Sequence, residues 1–90
     1  MKISYHEGKR ALTLAERGLD FADAAKVLDG PTFTLEDDRK EYGEVRYQTI
    51  GWSDRSVVMV MWTQRGDARH IISMRKCNER EKRKCEFRMG

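Results

Sequence analysis

The sequence predicts an α+β fold in a single domain over residues 1–90. We expect a short N-terminal strand and two helices, then a four-stranded antiparallel, meander-like sheet and a C-terminal helix. The run Val57–Trp62 is six apolar residues, too short for a membrane span and typical of a strand covered on both faces. Turn residues at 64–67 and a second strand at about 69–74 predict a central hairpin. Capping patterns and glycines mark helices at either end of the chain.

The N-terminal third predicts the first strand and both helices. Residues 1–4 favour a strand, and Ser4 with Glu7 forms a capping-box pattern for a helix over 5–17 that Gly18 ends. Three apolar residues of this helix are expected to reach the core: Leu12, Leu14 and Ala15. Asp20 is an N-cap for the second helix, which ends at 30–31 and has an apolar stripe: Phe21, Ala24, Ala25, Val27 and Leu28.

The middle of the chain predicts two more strands around an acidic loop. Residues 32–35 read as a short strand, 36–43 as an exposed loop, and 44–52 as a half-buried strand, with 51–56 turning into the hairpin. Glu36, Asp37 and Asp38 could bind Mg²⁺ in principle, but adjacent carboxylates in a loop are common and unspecific.

The second hairpin strand and the last helix combine apolar and charged residues. Strict alternation would place His70, Ile72 and Met74 on one face, and the other set on the opposite face: Arg69, Ile71, Ser73 and Arg75. Asn78 and Glu81 form a capping box for a helix that ends near 87. Because that helix is almost entirely charged, only three residues can make its apolar contacts: Cys77 before the cap, Cys85 and Phe87.

Charge and cysteine content limit the class of protein. The 18 Lys and Arg against 15 Asp and Glu give a net charge of only +3, which still permits a nucleic-acid partner if the cations cluster. Acids gather at 36–44 and cations from Arg65 onward, which suggests a polyanion at one end and a basic partner at the other. Cys77 and Cys85, if both helical, would lie about 12 Å apart, too far for a disulfide. We expect reduced thiols in a cytoplasmic protein, with no signal peptide, membrane span, metal or cofactor.

The cations suggest the cleavage of RNA without a metal ion. That reaction needs a base for the 2′-hydroxyl proton, cations for the phosphate and an acid for the leaving 5′-oxygen. Candidate cations are Arg65, Arg69, Arg75 and Lys76, and His70 suits the base or the acid. Glu44 and Glu79 are alternative proton carriers.

Each candidate also has an ordinary structural explanation. His70 could be a packed or surface histidine, Arg75 and Lys76 solubility charges, and Arg46 the ion-pair partner of a neighbouring strand. His6 is expected at the surface, and Trp52 and Trp62 in the core rather than as platforms for bases. Nucleophile-elbow, phosphate-loop and zinc patterns do not occur in the sequence, which argues against hydrolases of those kinds.

Segments along nearly the whole chain resemble the BrnT-type toxins of bacterial type II toxin–antitoxin systems. The matching segments are Lys9-Arg10, Gly18-Leu19-Asp20-Phe21 with Ala25, Gly30-Pro31, Gly43-Glu44-Val45-Arg46, Ile50-Gly51, Thr63-Gln64-Arg65-Gly66 and Ile71-Ile72-Ser73-Met74-Arg75-Lys76. The last two are the most specific, since family members typically carry Thr-x-Arg-Gly and then Arg-Ile-Ile-Ser-Ala-Arg-Lys at this separation.

The resemblance implies a RelE-like fold, a growth-inhibiting ribonuclease and a ribbon–helix–helix antitoxin of the BrnA type, with which the toxin would bind operator DNA and repress its operon. It also implies site residues at the positions that match the family's motifs. These are Arg46, Arg65, Arg75 and Lys76, with Glu44 as a weaker match. Two positions depart from the family: Glu16-Arg17 replaces a usual Lys-His pair, and His70 replaces the arginine before Ile-Ile-Ser. The alternative is therefore a degenerate toxin that binds nucleic acid or acts as a co-repressor without cutting.

Overall fold

One mixed sheet carries helices on both of its faces. A computed structural model describes residues 1–54 and 56–89, and of residues 87–89 only the backbone. The elements in chain order are β1 (Ile3–Tyr5), α1 (Glu7–Arg17), a 3₁₀ turn (Phe21–Asp23) leading into α2 (Ala24–Asp29), β2 (Thr32–Glu36), β3 (Tyr47–Ser53), β4 (Ser56–Arg65), β5 (Ala68–Lys76) and α3 (Glu79–Met89).

The sheet contains the predicted meander and one strand more. Its order is β1-β5-β4-β3-β2, and β2 to β5 pair antiparallel in sequence. β1 adds to the edge in parallel, with Ser4 opposite His70. The predicted α+β class is confirmed, while the predicted four-stranded antiparallel sheet is corrected to a mixed sheet of five strands. The RelE-like assignment stays a prediction.

The sheet separates two hydrophobic clusters. On the α2 side the buried cluster contains Leu19, Phe21, Ala24, Val27, Leu28, Val58, Val60, Trp62, Ile71 and Met74. On the α3 side it contains Ile50, Val57, Met59, Cys77 and Cys85. Because β4 contributes to both clusters, the prediction of a strand covered on both faces is confirmed.

A β-bulge in β5 changes which residues share a face. Met61 pairs with Ser73 and Trp62 pairs with Ile71, so Ile72 is the extra residue. The bulge lets Ile71 and Met74 enter the same α2-side cluster. The strictly alternating faces expected for this strand are therefore wrong. His70, on the other side of the bulge from Ser73 and Arg75, now shares the α3 side of the sheet with them.

The start of the chain differs from the prediction because β1 is part of the sheet. Ser4 lies inside β1, and the residue that caps α1 is His6, whose Nδ1 accepts from the backbone N–H of Lys9 at 3.3 Å. None of the eleven described residues of α1 is buried, and Leu12 is 57% exposed. The helix is held by polar contacts instead, which explains why the expected core roles of Leu12, Leu14 and Ala15 are wrong. Arg10 donates to both carboxylate oxygens of Asp20, at 2.8 and 3.0 Å.

Close packing of α2 decides the course of β3. Gly51 lies within this strand rather than in the turn. The position requires glycine, because a Cβ there would approach Val27 Cγ1 to 2.9 Å and Thr32 Cγ2 to 3.1 Å. The turn comes later, after Ser53. Trp62 is buried as predicted, but Trp52 is 46% exposed, so its expected place in the core is wrong.

The predicted capping box of α3 is confirmed. The Asn78 N–H donates to Glu81 Oε1 at 3.0 Å, and the Glu81 N–H donates to Asn78 Oδ1 at 2.8 Å. Cys77 precedes this helix, so the helical spacing assumed for the two cysteines is wrong, and both thiols are buried in the α3-side cluster. The expected contact of Phe87 lies outside the described side chains. Among the described helices, none is long and apolar enough to cross a membrane.

Candidate functional site

On the α3 side of the sheet, helix α3 covers one part, and the residues of the other part are half-buried. Strand register aligns Ile50, Met59 and Arg75 in one row, and α3 packs over it through Cys85. The next residues toward the hairpin turn are half-buried. They form a surface that we call the open face: Ser4, Gln48, Met61, His70 and Ser73.

His70 lies on β5, at the end of the open face next to the edge strand β1, and hydrogen-bonds to β1. Its Nδ1 is 2.9 Å from Ser4 Oγ. Burial lowers the pKa of His70 below its ordinary value, and the positive charge of Arg65 lowers it further, against the opposing carboxylate of Glu44. The imidazole is therefore neutral near pH 7, which suits a proton acceptor better than a proton donor.

Arg65 ends β4 beside the hairpin turn. Its Nη2 donates to Glu44 Oε1 at 3.2 Å in an exposed ion pair, and Gly66 follows with a φ of 60° that makes the predicted turn. One long contact leaves most of the five guanidinium N–H donors free for a substrate oxygen.

Arg46 precedes β3, and alternation from Tyr47 turns it toward the α3 side. Its guanidinium carbon lies 4.2 Å from the centre of the Tyr42 ring. Its buried Nε lacks a hydrogen-bond partner among the described residues. The carboxylate partner expected on a neighbouring strand is replaced here by an aromatic ring from the preceding loop.

Arg75 lies on the same side of the sheet but is firmly paired. Two of its nitrogens donate to Glu81 at 2.8 and 2.7 Å, and one approaches Met59 Sδ at 3.5 Å. Hydrogen bonding to Arg75 lowers the pKa of Glu81 to about 2, and the same contact raises the pKa of Arg75. This arginine joins β5 to the first turn of α3, so part of its role is structural.

Two predicted cations point away from the open face. Arg69 stacks on the α2-side residue Trp62, with its guanidinium carbon 4.7 Å from the ring centre. Lys76 is exposed and pairs in register with Val58, also of the α2 side. Glu79, the alternative proton carrier, is an exposed residue of α3 paired with Lys82 at 3.2 Å. Catalytic roles for these residues stay predictions.

Sequence reasoning missed the contribution of β1 and α1. Ser4 reaches His70 only through the parallel pairing of β1, for which the sequence carries no evident signal. Arg17 Nη1 donates to the Met74 carbonyl at 2.8 Å, and Lys9, Thr13 and Glu16 border a hollow of about 170 Å³ beside Ser73. The Lys-Arg pattern of α1 was the available clue.

The acidic loop before β3 is organised around one buried carboxylate. Asp37 accepts from Arg39 at 2.8 and 2.9 Å and from Tyr42 at 3.1 Å, and these bonds hold its pKa well below the usual range. The loop is otherwise largely exposed, as predicted, and it lines a hollow of about 530 Å³. Within the described residues, His, Cys, Asp and Glu do not form a group of three or more fit to hold a metal.

Comparison with protein families shows which family the chain matches. The model described as the ribonuclease toxin, BrnT, of type II toxin–antitoxin systems matches residues 5–81. This range contains the six candidate site residues: Glu44, Arg46, Arg65, His70, Arg75 and Lys76. Ser4 lies outside it. A comparison with curated proteins finds no match to the chain.

Proposed function

Because the chain belongs to the BrnT family of ribonuclease toxins of type II toxin–antitoxin systems, we propose that it cuts RNA on the open face without a metal ion. Membership in the family implies an RNA substrate and an antitoxin partner. The finer proposal is that the antitoxin is a ribbon–helix–helix protein of the BrnA type. The complex would repress its own operon, and the toxin would act in the cytoplasm to stop translation and growth.

His70 is the proposed base. Its neutral imidazole takes the proton of a 2′-hydroxyl through Nε2, and the 2′-oxygen then bonds to the adjacent phosphorus. The bond from phosphorus to the 5′-oxygen breaks, which leaves a 2′,3′-cyclic phosphate, and the leaving oxygen takes a proton from water. The hydroxide so formed takes the proton back from the His70 imidazolium. The lowered pKa of His70 supports this role, because a histidine that is already protonated could not accept a proton.

Arg65 and Arg46 are the proposed phosphate cations. Arg65 flanks His70 on the neighbouring strand, close enough for its charge to lower the pKa of the imidazole. Its single contact with Glu44 can be exchanged for a bidentate contact with phosphate oxygens. Arg46 carries a positive charge over the Tyr42 ring, and its buried Nε has no hydrogen-bond partner among the described residues, so its guanidinium would have to shift toward a phosphate. Glu44 would keep Arg65 in place before the substrate binds.

Arg75 is a proposed phosphate cation at the edge of the site that α3 covers. A phosphate that reached it would have to compete with Glu81, which already uses two of its donors. Lys76 is kept in the proposal only as a peripheral phosphate contact, because it pairs with an α2-side residue. The observation that carries the proposal is a half-buried His70 that is hydrogen-bonded to Ser4 and lies on the same side of the sheet as Arg65.

Cleavage by purified protein tests the proposal, and the chain's two histidines provide the control. We expect wild-type protein to cut RNA in EDTA, and His70→Asn to lower kcat/KM by about 10²- to 10⁴-fold. His6→Asn keeps a capping side chain on α1 and should retain activity. Cleavage that requires added Mg²⁺ would overturn the metal-free mechanism. Equal activity of His70→Asn and wild type would remove His70 from the site.

The degenerate-toxin alternative rests on Arg17. At the place where family members usually carry histidine, this side chain bonds to the Met74 carbonyl and so serves the packing of α1 on β5. Under this alternative RNA stays intact with or without metal, while the protein and its antitoxin still shift operator DNA in a gel. Intact RNA together with such a shift would favour a co-repressor over an enzyme.

A further inference from the structure

Ser4 contacts the proposed base, yet neither the motifs of the chain nor the proposed function gives it a role. Its Oγ lies 2.9 Å from His70 Nδ1, and the two residues are directly paired in the parallel ladder of β1 and β5. The ladder extends one bond further, from the Arg69 N–H to the Lys2 carbonyl at 3.0 Å. The backbone of Ser4 is therefore fixed by the ladder, and a single side-chain torsion, χ1, sets the position of the hydroxyl.

The two neighbours of Ser4 fix the direction in which it points. Ile3 and Tyr5 pack against the α2-side cluster, and the Tyr5 ring meets Phe21 edge-on with centroids 6.1 Å apart. Successive residues of a strand face opposite sides of a sheet, so Ser4 must face the α3 side. A strand of only three residues thereby delivers one hydroxyl to the open face.

The partner of one imidazole nitrogen decides what the other can do. A neutral imidazole carries a single N–H, and only the nitrogen without it can accept a proton. A serine hydroxyl can accept a hydrogen bond from Nδ1–H, which leaves the lone pair on Nε2. It can also donate to Nδ1, which would place the N–H on Nε2 and disable that nitrogen as a base.

We propose that Ser4 is a positioning residue that accepts a hydrogen bond from His70 Nδ1–H and so keeps Nε2 of His70 free to take a proton. The inference rests on the proposed function, since it assigns the base used there. After the proton arrives on Nε2, the imidazolium keeps its Nδ1–H bond to Ser4. The hydroxyl thus holds the ring orientation through the whole step.

The groups that face His70 do not replace this contact. Arg65 comes from β4, Glu44 from the loop before β3, Lys9 from α1 and His6 from the cap that precedes α1; all four change the pKa of His70 through their charge. Among the described residues, the His70 ring makes one hydrogen bond, and its partner is Ser4. The charges of these neighbours affect the pH at which the ring is protonated, whereas Ser4 determines which ring nitrogen can accept the proton.

Nitrogen NMR of ¹⁵N-histidine-labelled full-length protein tests the assignment directly. At a pH where His70 is neutral, we expect the His70 spectrum of the wild type to show a protonated Nδ1 and a bare Nε2. His6→Asn identifies the His70 signals. A bare Nδ1 and a protonated Nε2 in the wild type would overturn the proposal, without any need for a variant of Ser4.

Kinetics provide the second test. Ser4→Ala should lower kcat for RNA cleavage by about tenfold or more with little change in KM, and should move the acidic limb of the pH–rate profile. Ser4→Thr keeps the hydroxyl and should restore both. Ser53→Ala, at a half-buried serine of β3 outside the open face, is the matched control and should leave the pH profile in place.

The outcomes separate this inference from the proposed function. If His70→Asn abolishes cleavage but a folded Ser4→Ala matches wild type in rate and pH profile, the role of Ser4 is refuted and the base assignment stands. If His70→Asn cuts RNA as well as wild type, the base assignment itself fails. Thermal unfolding of each variant shows whether a lost rate reflects lost structure.

Discussion

Two arginines on one side of the sheet, at the two ends of the β4–β5 hairpin, have opposite environments. The side chain of Arg65 at the turn end is 54% exposed, and its one hydrogen bond to another described residue is a 3.2 Å contact with Glu44. Arg75 at the exit end makes contacts of 2.7 and 2.8 Å with Glu81. Glu81 also closes the capping box of α3, so the Arg75 pair is part of the junction between sheet and helix.

The difference shows that an arginine's availability is decided by the partners it meets. An exposed pair with one long contact contributes about 0–1 kcal/mol and exchanges easily. A bidentate pair beside a helix start holds its partners in fixed positions and must be broken before either binds a substrate. The turn end of the hairpin is therefore suited to substrate, and the exit end to stability.

The largest expected effect is on cleavage, at the turn end. Arg65→Ala should lower kcat/KM for RNA by about 10²-fold or more, because it removes the cation whose charge acts most strongly on His70, while the melting temperature stays within about 4 °C of wild type. The matched control is Lys2→Ala, which removes another exposed ion pair near the same turn, with Asp67 at 3.3 Å. Similar cleavage by Arg65→Ala and Lys2→Ala would end the distinction between the two hairpin ends.

The next effect is on stability, at the exit end. Glu81→Gln keeps a capping-box side chain but removes the charge that holds Arg75, so the free energy of unfolding at pH 7 should fall by about 1–2 kcal/mol. For a domain of this size that lowers the melting temperature by about 5–15 °C. Thermal unfolding followed by circular dichroism measures it.

The pH dependence of that difference identifies its cause. The folded pKa of Glu81 is about 2, below the ordinary value of 4.5, so its contribution is complete above pH 4.5 and is lost as the pH falls toward 2. Wild type and Glu81→Gln should therefore converge in stability across that range. Carboxylates common to both proteins, such as Asp20 and Asp37, cancel in the comparison. A difference that persists at pH 2 would mean that Arg75–Glu81 charge pairing is not its source.

The same two ends show what the sequence could predict. The capping box of Asn78 and Glu81, the turn at Gly66 and the run of β4 are local patterns, and each is found where predicted. The bulge at Ile72 and the parallel pairing of β1 depend on contacts distant in sequence, so alternation alone gave the wrong faces for β5. The motifs place Arg65 and Arg75 in the central hairpin, and the structure has them at its two ends. The motifs carried no information on Ser4, or on which arginine Glu81 would bind.

The smallest expected effect comes from Lys76, next to Arg75 in the chain but on the other side of the sheet. It is exposed and pairs in register with Val58 of the α2-side cluster, so its ammonium is directed away from His70. Lys76→Ala should change the free energy of unfolding by less than about 0.5 kcal/mol, as expected for an exposed side chain. Cleavage should change by no more than about twofold at moderate salt, since a charge beyond a Debye length of about 10 Å is largely screened. A loss of cleavage as large as that of Arg65→Ala would show that the substrate wraps around the edge of the sheet and reaches both of its faces.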